Sequence, residues 1–254
     1  IVDGLKALDF AGGTVVEINS GAAALALVMV IGRREGFLRD PMRPHNMPLV
    51  LLGAGILWFG WFGFNGGSAL SSGQLASVAV VNTQVAASAA AVSWVIVERL
   101  RDGKVTTLGV ASGAVAGMVG ITPGAGFVNP FAALIIGLLA GAASAWAVTR
   151  KYKYGLDDSL DVVGVHGISG LVGMLAIGFF ATLTVNEFGG SGLFSHGGTG
   201  LIERQTIASI SVAGFSFVTT YLIAQIISRT IGFRVSREQE LAGLDTTIHA
   251  ESAY

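Results

Sequence analysis

Two ionisable side chains lie deep in apolar stretches of this chain, Glu17 within 10–32 and His166 within 160–184. A charged group at the centre of a bilayer costs about 2.5–3.5 kcal/mol even on the mildest scale, so each of them points to a site. Glu17 stands eight residues after Asp9, and His166 eight residues after Asp158. Eight residues of helix advance about 12 Å at 1.5 Å each. The two stretches enter the membrane from opposite faces, so the two side chains reach a similar depth. Equal spacing in oppositely inserted helices is the mark of an inverted repeat, a plan that puts the substrate site near the midplane. A carboxyl and an imidazole meeting there could share and relay a proton. The plainer alternative is that each is buried in its own separate polar contact.

Trp58, Phe59, Trp61, Phe62 and Phe64 crowd one half of the apolar run 48–70. Such rings form an interfacial belt, or a mouth that holds a cation against their faces. Ser68, one helical turn past Phe64, would add a hydroxyl to such a mouth. Asp9 precedes one apolar run, and Asp157, Asp158 and Asp161 cluster at the start of another, so all four read first as helix caps. His45, His196 and His249 lie in polar segments with no second ligand at metal spacing. No phosphate loop, nucleophile elbow or HExxH is present. No metal, cofactor or enzyme chemistry is therefore expected.

These residues need elements to hold them, and the composition says which kind. Of 254 residues, 52% are apolar and only 12% charged. That is about half the usual charged share, too little for the surface of a water-soluble globule. The net charge of −1 gives no basic surplus for nucleic acid. Cysteine is absent, which removes disulfides, thiolate metal sites and cysteine nucleophiles. The 37 glycines are about twice the usual share, as in closely packed membrane helices.

Seven runs are long enough, or nearly so, to cross a hydrocarbon core of about 30 Å: 10–32, 48–70, 75–97, 105–121, 127–149, 160–184 and 205–228, with a polar tail at 230–254. The fourth is the shortest. The expected fold is an all-α polytopic membrane protein. Thirteen of the fifteen Lys and Arg fall in alternate gaps and the tail, leaving Lys6 and Arg204 on the other side. The positive-inside rule then puts the tail in the cytoplasm. Gly109, Gly113 and Gly117 repeat every four residues, and Gly164, Gly167, Gly170 and Gly173 every three. Both series are expected to make smooth faces for close helix approach. The opening IVDGLK shows no initiator Met or signal peptide, which suggests a cut end.

Several stretches carry a specific likeness: DFAGGTVVEINSG (9–21), RPHNMPLVLLGAGILWFGWFGFNGGSA (43–69), VNTQVAASAAA (81–91), SGAVAGMVGITPGAG (112–126), DDSLDVVGVHGISGLVG (157–173) and the tail SREQELAGLDTTIHAESAY (236–254). In order and over the whole chain they resemble the ammonium transporter family (Amt/Mep/Rh), in its Amt branch. The resemblance implies a trimer of eleven-span subunits, ten of the spans forming two inverted repeats around one pore each. This chain is similar to spans five to eleven, with a C-terminus that looks complete. The chain alone is therefore expected to leave the pore open on one side.

The resemblance also implies roles. Phe64 looks like one of two stacked gate rings, and Ser68 like the outer-site hydroxyl that meets ammonium. Trp61 and Val162 look like pore wall, and Asp9 like the structural aspartate below the outer site. Asn65, Asp158 and Asp161 are taken with these as wall or structural positions. His166 looks like the second of twin histidines at the midplane. Glu17 departs from the family's usual histidine, as some fungal members do. The implied function is passage of ammonium or ammonia across the cell membrane, with the tail meeting a PII-type signal protein or a neighbouring subunit. The alternative is an ammonium sensor of the same fold with little transport.

The charge split gives a topology test, simplified by the lack of cysteine in these residues. Loops 33–47, 98–104 and 150–158 should face the cytoplasm and 185–204 the outside. On intact cells an impermeant maleimide should label Ser191→Cys and spare Asp40→Cys. The reverse pattern would overturn the orientation.

Overall fold

The computed structural model describes residues 2–252. Ile1 lies outside the described residues, as do Ala253 and Tyr254, where the likeness in the tail ends. The described residues form helices joined by turns, with no strand among them. After a helical turn at Val2–Leu5 come the long elements. They are α1 (Gly13–Ile31), α2 (Met47–Gly67), α3 (Gln74–Asp102), α4 (Thr107–Ile121), α5 (Pro130–Tyr154), α6 (Val163–Phe180) and α7 (Gly200–Thr230). A short α8 (Arg237–Ala242) follows in the tail.

Local chemistry explains the boundaries. The side chains of Asn46, Thr106 and Asn129 accept hydrogen bonds from the backbone N–H three residues on, capping α2, α4 and α5. Pro130 opens α5, where a missing N–H costs nothing. Gly103 and Gly155 end α3 and α5 in the left-handed conformation that glycine adopts without strain.

Six of the seven helices are long and apolar enough to cross a membrane. The exception is α4, the shortest run in the sequence, with 15 residues. It rises about 22 Å, less than the hydrocarbon thickness. Most of it is buried, so protein rather than lipid surrounds it and its length need not match the bilayer. Three of its glycines face α3: added Cβ atoms would meet Glu98 at Gly109, Trp94 and Ala91 at Gly113, and Ala86, Ala87 and Ala90 at Gly117, whereas Gly120 turns to Ala140 of α5. Gly137 and Gly141 bring α5 onto the same helix, against the backbone of Ala86 and Ala90. Thus α3, α4 and α5 form a block cemented by small residues.

The other glycine series behaves differently. Gly164 abuts Val148 on α5, Gly167 meets Gly21 on α1, Gly170 meets Glu17 and Ile18, and Gly173 meets Gly120 on α4. A three-residue step falls about 60° short of a full turn of 100° per residue. The series therefore winds around α6 instead of making one face, and it lets three neighbours approach in turn.

At the opposite edge α2 is mostly uncovered. Leu49, Leu52, Ile56 and Phe59 are all exposed. Buried polar contacts fix its inner side, where Trp61 donates to Thr122 and Asn65 to Thr83. On the far side α7 lies along α1 and α6. Its buried Gln205 bonds the backbone of Leu8 through both side-chain ends, and Ser216 donates to the Asn19 carbonyl.

One end of the bundle is tied by charge. Arg34 reaches Asp157 at 2.7 Å through its guanidinium and also donates its backbone N–H. Glu240 of α8 accepts from Arg234 and from the backbone of Glu35, so the tail folds back on loop 33–46. Asp157 is therefore an ion-pair partner and not the helix cap its position suggested. Asp161 also departs from that expectation. It stands in the left-handed region at φ 59, and its carboxylate turns to Lys151 at 2.6 Å.

Two outcomes follow from this packing. A Cβ at Gly21 would run into the Gly167 backbone, so Gly21→Ala must part α1 from α6. Overpacking of this kind costs about 1–3 kcal/mol, and thermal unfolding of the full-length protein in detergent should shift down; an unchanged midpoint would contradict the close crossing. For Asp157, burial pushes the carboxyl up, but hydrogen bonds from Arg34 outweigh it and hold the group below its ordinary range. A depressed folded value stabilises above the unfolded carboxylate range and is lost as pH falls through the folded value. Arg34→Ala removes the guanidinium bonds and leaves burial opposed only by the backbone N–H and Lys151, so acid unfolding should begin at higher pH than in the wild type. An unmoved acid limb would refute this.

Candidate functional site

The site is built on two unusual turns. Both α1 and α6 open with a π-helical turn, Gly13–Ile18 and Val163–Ile168, before becoming α-helical. Such widened turns are frequent at functional sites. Glu17 lies in the first and His166 in the second.

Each turn hangs from an aspartate. Asp9 accepts hydrogen bonds from the backbone N–H groups of Gly12, Gly13 and Thr14, and from the Thr14 hydroxyl. Asp158 accepts from the N–H groups of Val162 and Val163. These are the free donors of a helix N-terminus, which a capping side chain must satisfy. In the first turn Gly12 supplies a left-handed φ of 107, a conformation open to glycine without penalty. The matched spacing seen in the sequence is thus a matched capping device at two helix starts.

Just past the first turn α1 crosses α6 at Gly21 and Gly167. The crossing brings His166 Nδ1 to 2.7 Å from Glu17 Oε2. The carboxyl group is wholly buried, whereas the imidazole side chain is 29% exposed. Glu17 Oε1 is also buried and has no hydrogen-bond partner among the described residues. Behind the pair, Gly170 leaves room for the Glu17 Cβ, 2.8 Å from where a side chain would start.

A groove of about 400 Å³ opens over the pair, lined by Val16, Glu17, Ser20, Leu57, Gly60, Trp61, Phe64, Val162 and His166. Its polar side chains are few and sit together at Glu17, Ser20 and His166. Trp61 and Phe64 meet edge to face at 5.6 Å and form its aromatic end. Trp61 is held by its bond to Thr122, whereas Phe64 is 40% exposed. Val16 is 42% exposed, so the groove is open along one flank.

The remaining candidates fall outside the lining. Ser68 donates its hydroxyl proton to the Phe64 carbonyl at 2.7 Å. That bond leaves its oxygen lone pairs free to accept from a cationic N–H. Asn65 is fully buried and directed at Thr83, so it braces α2 on α3. Asp9 and Asp158 cap, and Asp161 pairs with Lys151. No cluster that could hold a metal ion occurs among the described residues. Sequence reasoning missed Thr122, which orients Trp61, and Leu57, Gly60 and Ser20, which line the groove. None of them bears a charge or interrupts an apolar run, so periodicity gave no signal.

The comparisons with known proteins agree with this architecture. A family model described as Ammonium Transporter Family matches residues 1–254. The ammonium transporter of Mycobacterium tuberculosis is 49% identical over 100% of this chain and 54% of its own length. That of Bacillus subtilis is 47% identical over 98% of this chain and 61% of its own. Among solved structures, Saccharomyces cerevisiae Mep2 superposes with a TM-score of 0.86 at 32% identity, covering 93% of this chain and 55% of that one. A structure titled Sensor Amt Protein gives 0.86 at 30% identity, covering 95% and 60%. The chain spans little more than half the length of these relatives. With its whole length matched by the family model, the chain belongs to the ammonium transporter family.

Proposed function

We propose that this chain supplies one wall of a pore that passes ammonium across a cell membrane, with Glu17 and His166 as its proton-handling pair. The observation that carries the reading is the 2.7 Å contact between a buried carboxyl and an imidazole at the floor of an apolar groove. Phe64, Trp61 and Ser68 form the outer site. Ring faces attract a cation, and the Ser68 oxygen accepts one of its N–H bonds. Past the rings, Val16, Leu57 and Val162 offer no hydrogen bonds to replace water. A bare cation there is costly, so NH4+ gives up its proton and crosses as NH3.

The pair handles that proton. A carboxylate with an imidazolium and a neutral acid with a neutral imidazole are two forms of one unit, related by moving one proton along their hydrogen bond. Uptake of a further proton needs a free acceptor, and Glu17 Oε1 is one. Release on the far side restores the pair and the ammonium ion. The orientation with a cytoplasmic tail, the plasma membrane, the homotrimer and a PII-type partner at the tail belong to the same reading. Support for them is the charge split and the likeness to the family. The groove's open flank fits a second wall contributed by other chain segments.

The test is ammonium-driven current from the full-length protein in liposomes, with methylammonium and K+ as comparison ions. Current with ammonium and little with K+ is expected, and flux at background would favour the sensor alternative. His166→Ala strands Glu17 without its partner and should cut transport about ten-fold or more, as loss of a charged partner costs some 1.5–3 kcal/mol. Glu17→His should conduct with an altered dependence on external pH, because a second imidazole then replaces the carboxyl that shares the proton. Wild-type current in His166→Ala, or an unchanged pH profile in Glu17→His, would remove the relay role.

A further inference from the structure

We propose that Ser144 and Ser169 form a buried hydroxyl clamp that positions His166 by holding its π-helical turn. This deepens the proton-pair reading and rests on it for its consequence in transport. Both serines are fully buried. Ser144, on α5, donates to the Gly164 carbonyl at 2.8 Å, and its oxygen lies 2.6 Å from the Ser169 oxygen. A hydroxyl has one proton. With the Ser144 proton committed to Gly164, the proton between the two serines must come from Ser169. The result is a directed chain from Ser169 to Ser144 to the Gly164 carbonyl.

The two ends of this chain bracket His166. Gly164 is the second residue of the π turn and Ser169 the first residue after it. A π turn holds one more residue than an α turn, so relaxing it would rotate its residues by up to about 100° relative to the helix that follows. Asp158 secures the start of the turn through Val162 and Val163. The serine clamp secures its interior and its end from a different helix. The close approach that permits it comes from Gly164, where a Cβ would meet Val148 of α5 at 2.7 Å. Ser144 touches neither the groove nor the pair and acts only through the backbone that carries the imidazole.

Full-length protein labelled with 15N-histidine, studied by solid-state NMR in bilayers, gives a direct readout. The His166 signal is identified by its loss in His166→Ala. In Ser144→Ala the Gly164 carbonyl loses its buried partner, and the Nδ1 resonance should leave its wild-type, carboxyl-bonded position. Ammonium transport should fall about ten-fold, the effect of one unmade buried hydrogen bond. Ser169→Ala keeps the Ser144–Gly164 bond and should shift the resonance in the same direction by less; it serves if Ser144→Ala does not fold. Ser93→Ala, which removes a buried hydroxyl bonded only within its own helix, should leave the resonance in place. A wild-type Nδ1 resonance in both Ser144→Ala and Ser169→Ala would overturn the clamp. A shifted resonance with undiminished transport would support the clamp and overturn the proton-pair reading on which its role in transport rests.

Discussion

The rest of this structure depends on one constraint, a carboxyl group with no exposure to solvent in a chain built to sit in lipid. Glu17 can be ionised there only with a partner at hydrogen-bonding distance, because an isolated buried carboxylate is far too costly. His166 is that partner. Two helices must then come close enough for a carboxyl and an imidazole to meet head to head. That requirement explains the glycine contact between Gly21 and Gly167 and the space left by Gly170. It also explains why the groove concentrates its polarity at one place and is otherwise apolar.

The helices that carry the pair are not regular. Each begins with a widened turn, and each turn is suspended from an aspartate four or five residues before its first residue. Polar groups elsewhere in the bundle serve the same end. Gln205 and Ser216 fasten α7 to the start of α1, and Ser144 fastens α5 to the start of α6. The closely packed small-residue block of α3, α4 and α5 is what these irregular helices rest against. Precision at the pair is thus distributed over capping carboxylates, glycine crossings and backbone-directed hydroxyls.

Much of this was legible in the sequence, for definite reasons. Helices in lipid must be long, apolar and internally bonded, so composition and run length gave the class of fold and the positions of the helices. The eight-residue spacing of Asp9 to Glu17 and Asp158 to His166 was visible because ionisable residues are rare in such runs. The π turns were not visible, since nothing in residue type separates a π turn from an α turn in a stretch such as VGVHGI. Nor could proximity in sequence separate Asp158, which caps, from Asp157 and Asp161, which find Arg34 and Lys151. Asp157 is claimed by a cation more than a hundred residues away, and Asp161 is turned to Lys151 by a single left-handed φ. Ser144, Ser20 and Thr122 stayed hidden because a hydroxyl in an apolar helix most often bonds its own backbone.

The central claim, that the carboxyl–imidazole pair takes part in moving a proton during ammonium passage, is tested most directly on the carboxyl itself. Infrared difference spectra of the full-length protein in bilayers, recorded with and without ammonium, report whether a buried carboxyl gains or loses a proton. The account predicts a protonated-carboxyl band that changes when ammonium is added and that is absent from Glu17→Gln. A difference spectrum that is the same in the wild type and in Glu17→Gln would contradict it.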